Sequence, residues 1–265
     1  MQILQKLQTL PLSAMFAMTM AVAVLVCWIV LVVVRLGARM ARLHGPAPLL
    51  LKDTLIGATS ALFALMMAFT AAGIWNDTVQ ANTVVQREAN ALENVVALAS
   101  SLPMDLKEKV ASSIHAYART VVEADWPAMQ RRRQVTDPIY ETSDNMLVEL
   151  INMLALEHQR LTTLPTVAPL LSQIVEARSA RLARIALATA GVSVAQWAAM
   201  LGIVLCALTA VALCHNHHFG MQVVAMHLYA FAVAAAFFVI LAHDRPFIGS
   251  ISISPGPILH IAGFR

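Results

Sequence analysis

The chain has 265 residues, 59% of them hydrophobic and only 12% charged, with a mean hydropathy of +0.70. Soluble domains carry about 25% charged residues, so a water-soluble globule and a disordered chain are excluded, and three cysteines set in apolar runs exclude a disulfide scaffold. The net charge of +3 is too small, and too close to apolar runs, to mark a nucleic-acid binder; this is the composition of a polytopic membrane protein.

A bilayer core needs about 20 consecutive apolar residues in a helix, and four stretches supply them. Leu12–Val34 is free of charge and followed by Arg35, Arg39 and Arg42. It is too long for the apolar core of a cleaved signal peptide and has only Lys6 before it, so it reads as a retained span. Thr54–Trp75 follows Lys52 and Asp53 and is closed by Asp77. Ile185–Cys214 carries no formal charge, and Phe219–Ala242 contains only His227 as a titratable group before His243.

Between the second and third spans lies a polar region holding 13 of the 15 acids and 11 of the 18 Lys and Arg. Its periodicity is helical. Val85, Leu92, Val96 and Ala99 continue from Trp75 without a turn signal, so the second span is expected to run on into water. Pro103 opens the next helix, where a missing N–H costs least, and Leu106, Val110, Ile114, Tyr117 and Val121 mark its apolar face. Val135–Pro138 interrupts the pattern; Tyr140–Leu161 restarts it through Leu147, Ile151 and Leu154. After Pro165, a run through Leu170, Ile174, Val175 and Leu182 is expected to enter the third span unbroken. No stretch alternates as a strand does. The expected architecture is all-α: a first transmembrane hairpin (1–75), a helical extramembrane bundle (76–184), and a second hairpin with a C-terminal tail (185–265). The loop between the first two spans holds four Lys and Arg, but the other face has Lys6, Arg245 and Arg265 on the termini and Arg178, Arg181 and Arg184 beside the third span, so the positive-inside rule does not fix orientation.

Thr59, Phe63, Met66, Thr70, Gly73 and Asp77 share one face of the second span. That face suits a pore, with hydroxyls for passing ions, Phe63 and Met66 as an apolar constriction, and Asp77 at the mouth. It equally suits helix packing, where small and hydroxyl residues permit close approach. His215, His217 and His218 crowd a short loop near His227, but with no carboxylate beside them they read as a polar headgroup loop rather than a metal site. Arg131, Arg132 and Arg133 form a basic run of the kind that binds phosphate or anionic lipid, but they read as a solvated helix end that complements the dipole. Arg178, Arg181 and Arg184 recur every third residue before the third span, as an anion-attracting collar or a juxtamembrane anchor. Gln196, polar within the third span, calls for an interhelical partner. No nucleophile–base set, phosphate loop or paired catalytic carboxylates appear, so neither enzymatic chemistry nor a cofactor is expected.

Three segments together carry a resemblance. They are Phe69-Thr70 to Trp75 with Gln86-Arg87-Glu88-Ala89-Asn90-Ala91-Leu92; Ala116-Tyr117-Ala118-Arg119 with Glu123-Ala124-Asp125-Trp126-Pro127; and Asp244-Arg245-Pro246-Phe247-Ile248-Gly249. The chain is similar to the bestrophin-like family of bacterial membrane proteins over roughly residues 50–261, most specifically at Glu88, Asn90, Arg245, Pro246 and Phe247. The resemblance implies a pentameric anion channel whose second span lines the pore, embedded in lipid in a bacterial inner membrane with its helical domain in the cytoplasm. Its partners would be copies of itself and small ions, with no nucleic acid. The likeness does not extend to an aromatic-rich neck, since Phe63 and Phe69 are the only phenylalanines of the second span, nor to an acidic calcium clasp. Glu88 and Asn90 are expected to bond a neighbouring helix, with Arg178 or Arg181 as the partner or as an internal clamp. Asp244, Arg245 and Pro246 are expected to end the fourth span, Arg245 capping its negative end. The other reading is a non-conducting sensor or scaffold whose bundle binds a ligand or partner.

Overall fold

A computed structural model of the chain describes residues 10–40, 49–131, 136–157, 165–215, 217–249 and 251–263, with the backbone alone for 49–53. Lys6, Arg42, Arg132, Arg133, Val135, Leu161 and Arg265 lie outside them, as does the Lys52 side chain. Among the described residues every regular element is helical: α1 (Leu12–Met40), α2 (Leu49–Ala99), α3 (Met104–Thr120), a π-turn (Val121–Asp125), α4 (Trp126–Gln130), α5 (Ile139–Leu156), α6 (Val167–Ala188), α7 (Val194–Cys214), α8 (Phe219–His243) and α9 (Gly256–Ile261). Helices α1, α2, α7 and α8 are long and apolar enough to cross a membrane. In hydrocarbon every backbone polar group must be satisfied within its own segment, and a helix does that.

The chain forms two compact units, Met1–Trp75 with Gly191–Asp244 and Asn76–Ala190 with Arg245–Arg265. In the first, Cys27, Val30, Leu31 and Val34 of α1 pack against Val204, Leu208 and Val211 of α7 and against Met226, Ala230 and Val233 of α8. Phe237 of α8 joins the edge of this core, stacked on Trp197 at 5.8 Å between ring centres.

In the second unit, α2 continues from the span with no turn, as its sequence predicts, and runs to Ala99. Its inward residues Val85, Leu92, Val95 and Ala99 meet Leu106, Val110, Ile114 and Tyr117 of α3, Leu147 and Leu154 of α5, and Leu170 and Ile174 of α6. The apolar stripe expected on α3 lies wholly in this core. The closing segment also belongs to this unit, through Phe247, Ile258 and Ile261.

One expectation fails. The helix entering the third span is not continuous: α6 stops at Ala188 and α7 starts at Val194. Gly191, at φ 152°, holds a backbone conformation that L side chains avoid. Ser193 then caps α7 in a reciprocal box, its Oγ accepting from the Gln196 N–H while Gln196 Oε1 accepts from the Ser193 N–H. Gln196 is therefore an N-terminal cap partner, not a buried polar residue seeking another helix.

Candidate functional site

Two features carry the chemistry, one in each unit. The first is the span portion of α2. Successive residues of a helix are turned by about 100°, so the inward and outward faces differ by a single step in register. Thr59, Phe63, Met66 and Thr70 of the predicted pore stripe fall on the inward side. Phe63 packs against Phe237 with ring centres 6.0 Å apart. Thr70 is buried, its hydroxyl donating to Met66 O at 2.8 Å and lying 3.8 Å from Met200 Sδ. Thr59 and Met66 are half-buried, and the Thr59 hydroxyl donates to Leu55 O at 2.7 Å. Both hydroxyls are thus spent on their own helix. Gly73 is exposed, with room for a Cβ, and Asp77 is half-buried.

The residues one step earlier face outward: Ala58, Leu62, Leu65, Phe69, Ala72 and Asn76 are all exposed, Phe69 to 70%. Around them Gly57, Ala61, Ala64, Ala68 and Ala71 are exposed too. This surface is small-residue backbone punctuated by Leu62, Leu65 and Phe69. The exposed side of α1 is dominated by large side chains, among them Val22, Leu25, Ile29, Val32, Val33 and Leu36, with fewer small residues between them.

The second feature is a buried ionic clamp. Of the three arginines expected as a collar, Arg181 and Arg184 turn inward, while Arg178 stays partly exposed and pairs at the rim. Arg184 and Glu88 are both fully buried, joined by Nε to Oε2 at 2.6 Å and by a second guanidinium nitrogen to Oε1 at 3.1 Å. Tyr117 donates its hydroxyl to Glu88 Oε1 at 2.7 Å. The Arg184 guanidinium also lies over the Trp126 ring, 5.3 Å from its centre. The π-turn brings Asp125, fully buried, to within 3.6 Å of Arg184 and 3.5 Å of Arg181. Ser143 donates to both Asp125 carboxylate oxygens and accepts from Arg181. Arg181 further donates to Tyr140 O, and Arg178 grips Asp144 with two bonds of 2.9 and 2.8 Å. The physical reason is charge balance: two buried guanidinium groups meet two buried carboxylates, and neither sign is left alone in a low dielectric. Glu88 pairs with Arg184 rather than with Arg178 or Arg181, and Asn90 is exposed.

Burial pushes the Asp125 carboxyl above the ordinary aspartate range, against the pull of Arg184, Arg181 and the Ser143 hydrogen bond. Burial, then Asp125, pushes the Tyr140 phenol up to about 12. Burial works against the Arg184 cation, but Glu88, Tyr117 and Asp125 more than compensate, so its proton is held more tightly than in water. The Arg178 hydrogen bonds hold Asp144 below its usual range.

The third predicted motif works in two ways. Asp244 Oδ1 accepts from the Val192 N–H at 2.6 Å and so fixes the chain just ahead of α7. Arg245 donates to Thr189 O at 2.9 Å and to Ala190 O. It therefore caps the carbonyl end of α6, not that of the fourth span. Pro246 and Phe247 are buried, and Phe247 meets Trp126 edge-on at 5.6 Å.

The histidines are locally engaged. His215 Nδ1 lies 2.9 Å from Val211 O, and the His217 and His218 rings meet edge-on at 4.7 Å. Among the described residues no three His, Cys, Asp or Glu side chains are grouped as a metal ion requires. Arg131 Nε donates to Pro127 O, as a residue closing a helix does.

Sequence reasoning did not single out Tyr117, Asp125 and Ser143 as members of a clamp, although Tyr117 and Asp125 fall inside the quoted motifs. The signal was present: buried arginines must be matched by acids. The run of Gly and Ala along α2 could likewise have marked its uncovered face.

The family model of the bestrophin-like domain matches residues 20–258. Two crystal structures of mutants of a bacterial bestrophin homologue from Klebsiella pneumoniae share the fold. One has a TM-score of 0.68 at 12% identity, covering 94% of this chain and 98% of that one. The other has a TM-score of 0.67 at 13% identity, covering 94% and 99%. Among curated proteins no relative matches.

Proposed function

The chain belongs to the bestrophin-like family, and from that premise we propose that it is a homo-oligomeric ion channel, pentameric and anion-conducting, whose conduction path is lined by the outward face of α2. The observation that carries this reading is the make-up of that face. Small residues on an exposed membrane helix let another helix approach closely, whereas a lipid-facing surface has no need of them, and the exposed side of α1 carries fewer of them, Ser13, Ala17, Ala21 and Gly37 among mostly large apolar side chains. Copies arranged about an axis with α2 inward would turn Leu62, Leu65 and Phe69 toward that axis. Rings of such side chains form a constriction that gates by dewetting. The inward stripe through Phe63 and Thr70 then serves packing within the protomer. The buried clamp holds the polar unit rigid, with α2 as one of its walls. Lipid surrounds the spans in this reading, and the polar unit is taken as cytoplasmic by analogy with the family.

Planar-bilayer recording of the purified protein tests this. Leu65→Ala and Phe69→Ala should raise unitary conductance, while Thr70→Val should leave it unchanged. Absence of current in any salt, or a current indifferent to both alanine variants, overturns the proposal. A monomeric or dimeric particle would favour the scaffold reading instead.

A further inference from the structure

At the far end of α1 from Leu12, Arg35 is held in a way that an ordinary interfacial arginine is not. Its Nε donates to Gln222 Oε1 at 2.9 Å. Gln222 is fully buried and fixed in turn, its Nε2 donating to Ala212 O at 2.7 Å. The guanidinium carbon sits 4.1 Å above the centre of the Phe219 ring. Two protein contacts thus lock the plane of the guanidinium, and its two terminal NH2 groups meet no acceptor among the described residues. Burying an amide beside a membrane span is costly unless both its ends are used. Here both are, and the outcome is a cation fixed in direction rather than merely kept near water.

The position matches a lipid phosphate. Arg35 lies in the last two turns of a 29-residue span, level with the turn that joins α7 and α8. A hydrocarbon core takes about 20 residues, so these turns lie at headgroup depth. Arg39 is exposed one turn further on the same side of α1. The first turn of α8 begins at Phe219, has no side-chain cap and contains Gly220, where a Cβ would meet nothing. Below Arg35, Trp28 is on the same flank and 43% exposed, with Val32 exposed between them. The site therefore combines a fixed guanidinium fork, a second arginine and an apolar wall leading into the membrane. A guanidinium offers parallel N–H donors that match two phosphate oxygens.

We infer that Arg35, oriented by Gln222 and Phe219 and assisted by Arg39, binds the phosphate of an anionic phospholipid whose acyl chains lie along the Trp28 flank of α1. This inference rests on α1 crossing the membrane and is independent of whether the protein conducts.

Native mass spectrometry of the detergent-solubilised full chain, reloaded with phosphatidylglycerol or phosphatidylcholine, tests it. Phosphatidylglycerol should remain bound to each protomer under activation that strips phosphatidylcholine. Each arginine near an anionic surface contributes roughly fivefold in binding, so the R35Q/R39Q double variant should lose about twenty-five-fold. Gln222→Leu should lower retention with both arginines present, and millimolar inorganic phosphate should not displace the lipid. Equal retention by the double variant overturns the inference, as does displacement by inorganic phosphate, which would make the ligand a free anion. If the double variant cannot be purified, Arg35→Lys and Arg39→Gln decide. Both should weaken retention, and wild-type retention in both overturns the inference.

Discussion

Replacing Arg184 by methionine should cost the second unit about 3–5 kcal/mol, the range seen when one member of a buried ion pair is removed. The geometry explains why the upper range applies. Arg184 and Glu88 are both 0% exposed, and their contact is two-pronged. Asp125, 3.6 Å from the same guanidinium, would lose a countercharge as well. The protein supplies its own control in Arg87 and Glu176, an equally close pair whose side chains are 52% and 39% exposed. Exposed pairs contribute about 0–1 kcal/mol, so Arg87→Met should be nearly silent. Thermal unfolding in detergent, followed by intrinsic fluorescence, should show Arg184→Met lower by roughly 6–20 °C at about 2–4 °C per kcal/mol. The Glu88→Gln/Arg184→Met double variant should fall less than the sum of its parts, since removing both charges relieves the uncompensated one. Equal losses for Arg184→Met and Arg87→Met, or strict additivity in the cycle, would refute the argument from burial.

Asp125 gives a pH prediction. Because its folded-state pKa is raised, chiefly by burial, the folded unit holds that proton more tightly than the unfolded chain. This group's contribution to stability therefore declines as pH rises from the ordinary aspartate value of 3.8 through the raised one. Unfolding temperature measured against pH should lose that component of slope in Asp125→Asn, and an unchanged slope would exclude Asp125 as its source. Phe247→Ala should cost about 3–5 kcal/mol, as for other buried Phe truncations. It should also shift Trp126 emission, because the two rings are in edge contact; an unaltered spectrum would mean the tail is not docked there.

The four spans were legible because charge-free runs of that length have few alternatives, and the polar helices because their apolar residues recur at the helical period. The break before α7 was not. Thr189, Ala190, Gly191, Val192 and Ser193 are all uncharged, so hydropathy passes over them. The cap is visible only if Ser193 and Gln196 are read together as a box. The facing of α2 within the protomer was hidden for a different reason. Thr59–Phe63–Met66–Thr70 and Ala58–Leu62–Leu65–Phe69 have the same periodicity, and which one is inward depends on Phe237 and Met200, more than 100 residues away. The arginines before the third span misled for a related reason. Their spacing is local, but their partners Glu88, Asp125 and Asp144 come from three other segments, and the tail that buries Phe247 against Trp126 gives no periodic signal of its own.

The clamp also constrains the order in which the chain can mature. Glu88 emerges from the ribosome 96 residues before Arg184, so for most of its synthesis the polar segment carries an acid with no counterpart. Closure must await α6, and it ties completion of the polar segment to the arrival of the last two membrane crossings that follow directly behind. A truncated product ending before Arg181 would keep Glu88 and Asp125 as naked carboxylates in an apolar setting. Such a fragment should stay open and be an easy target for proteolysis.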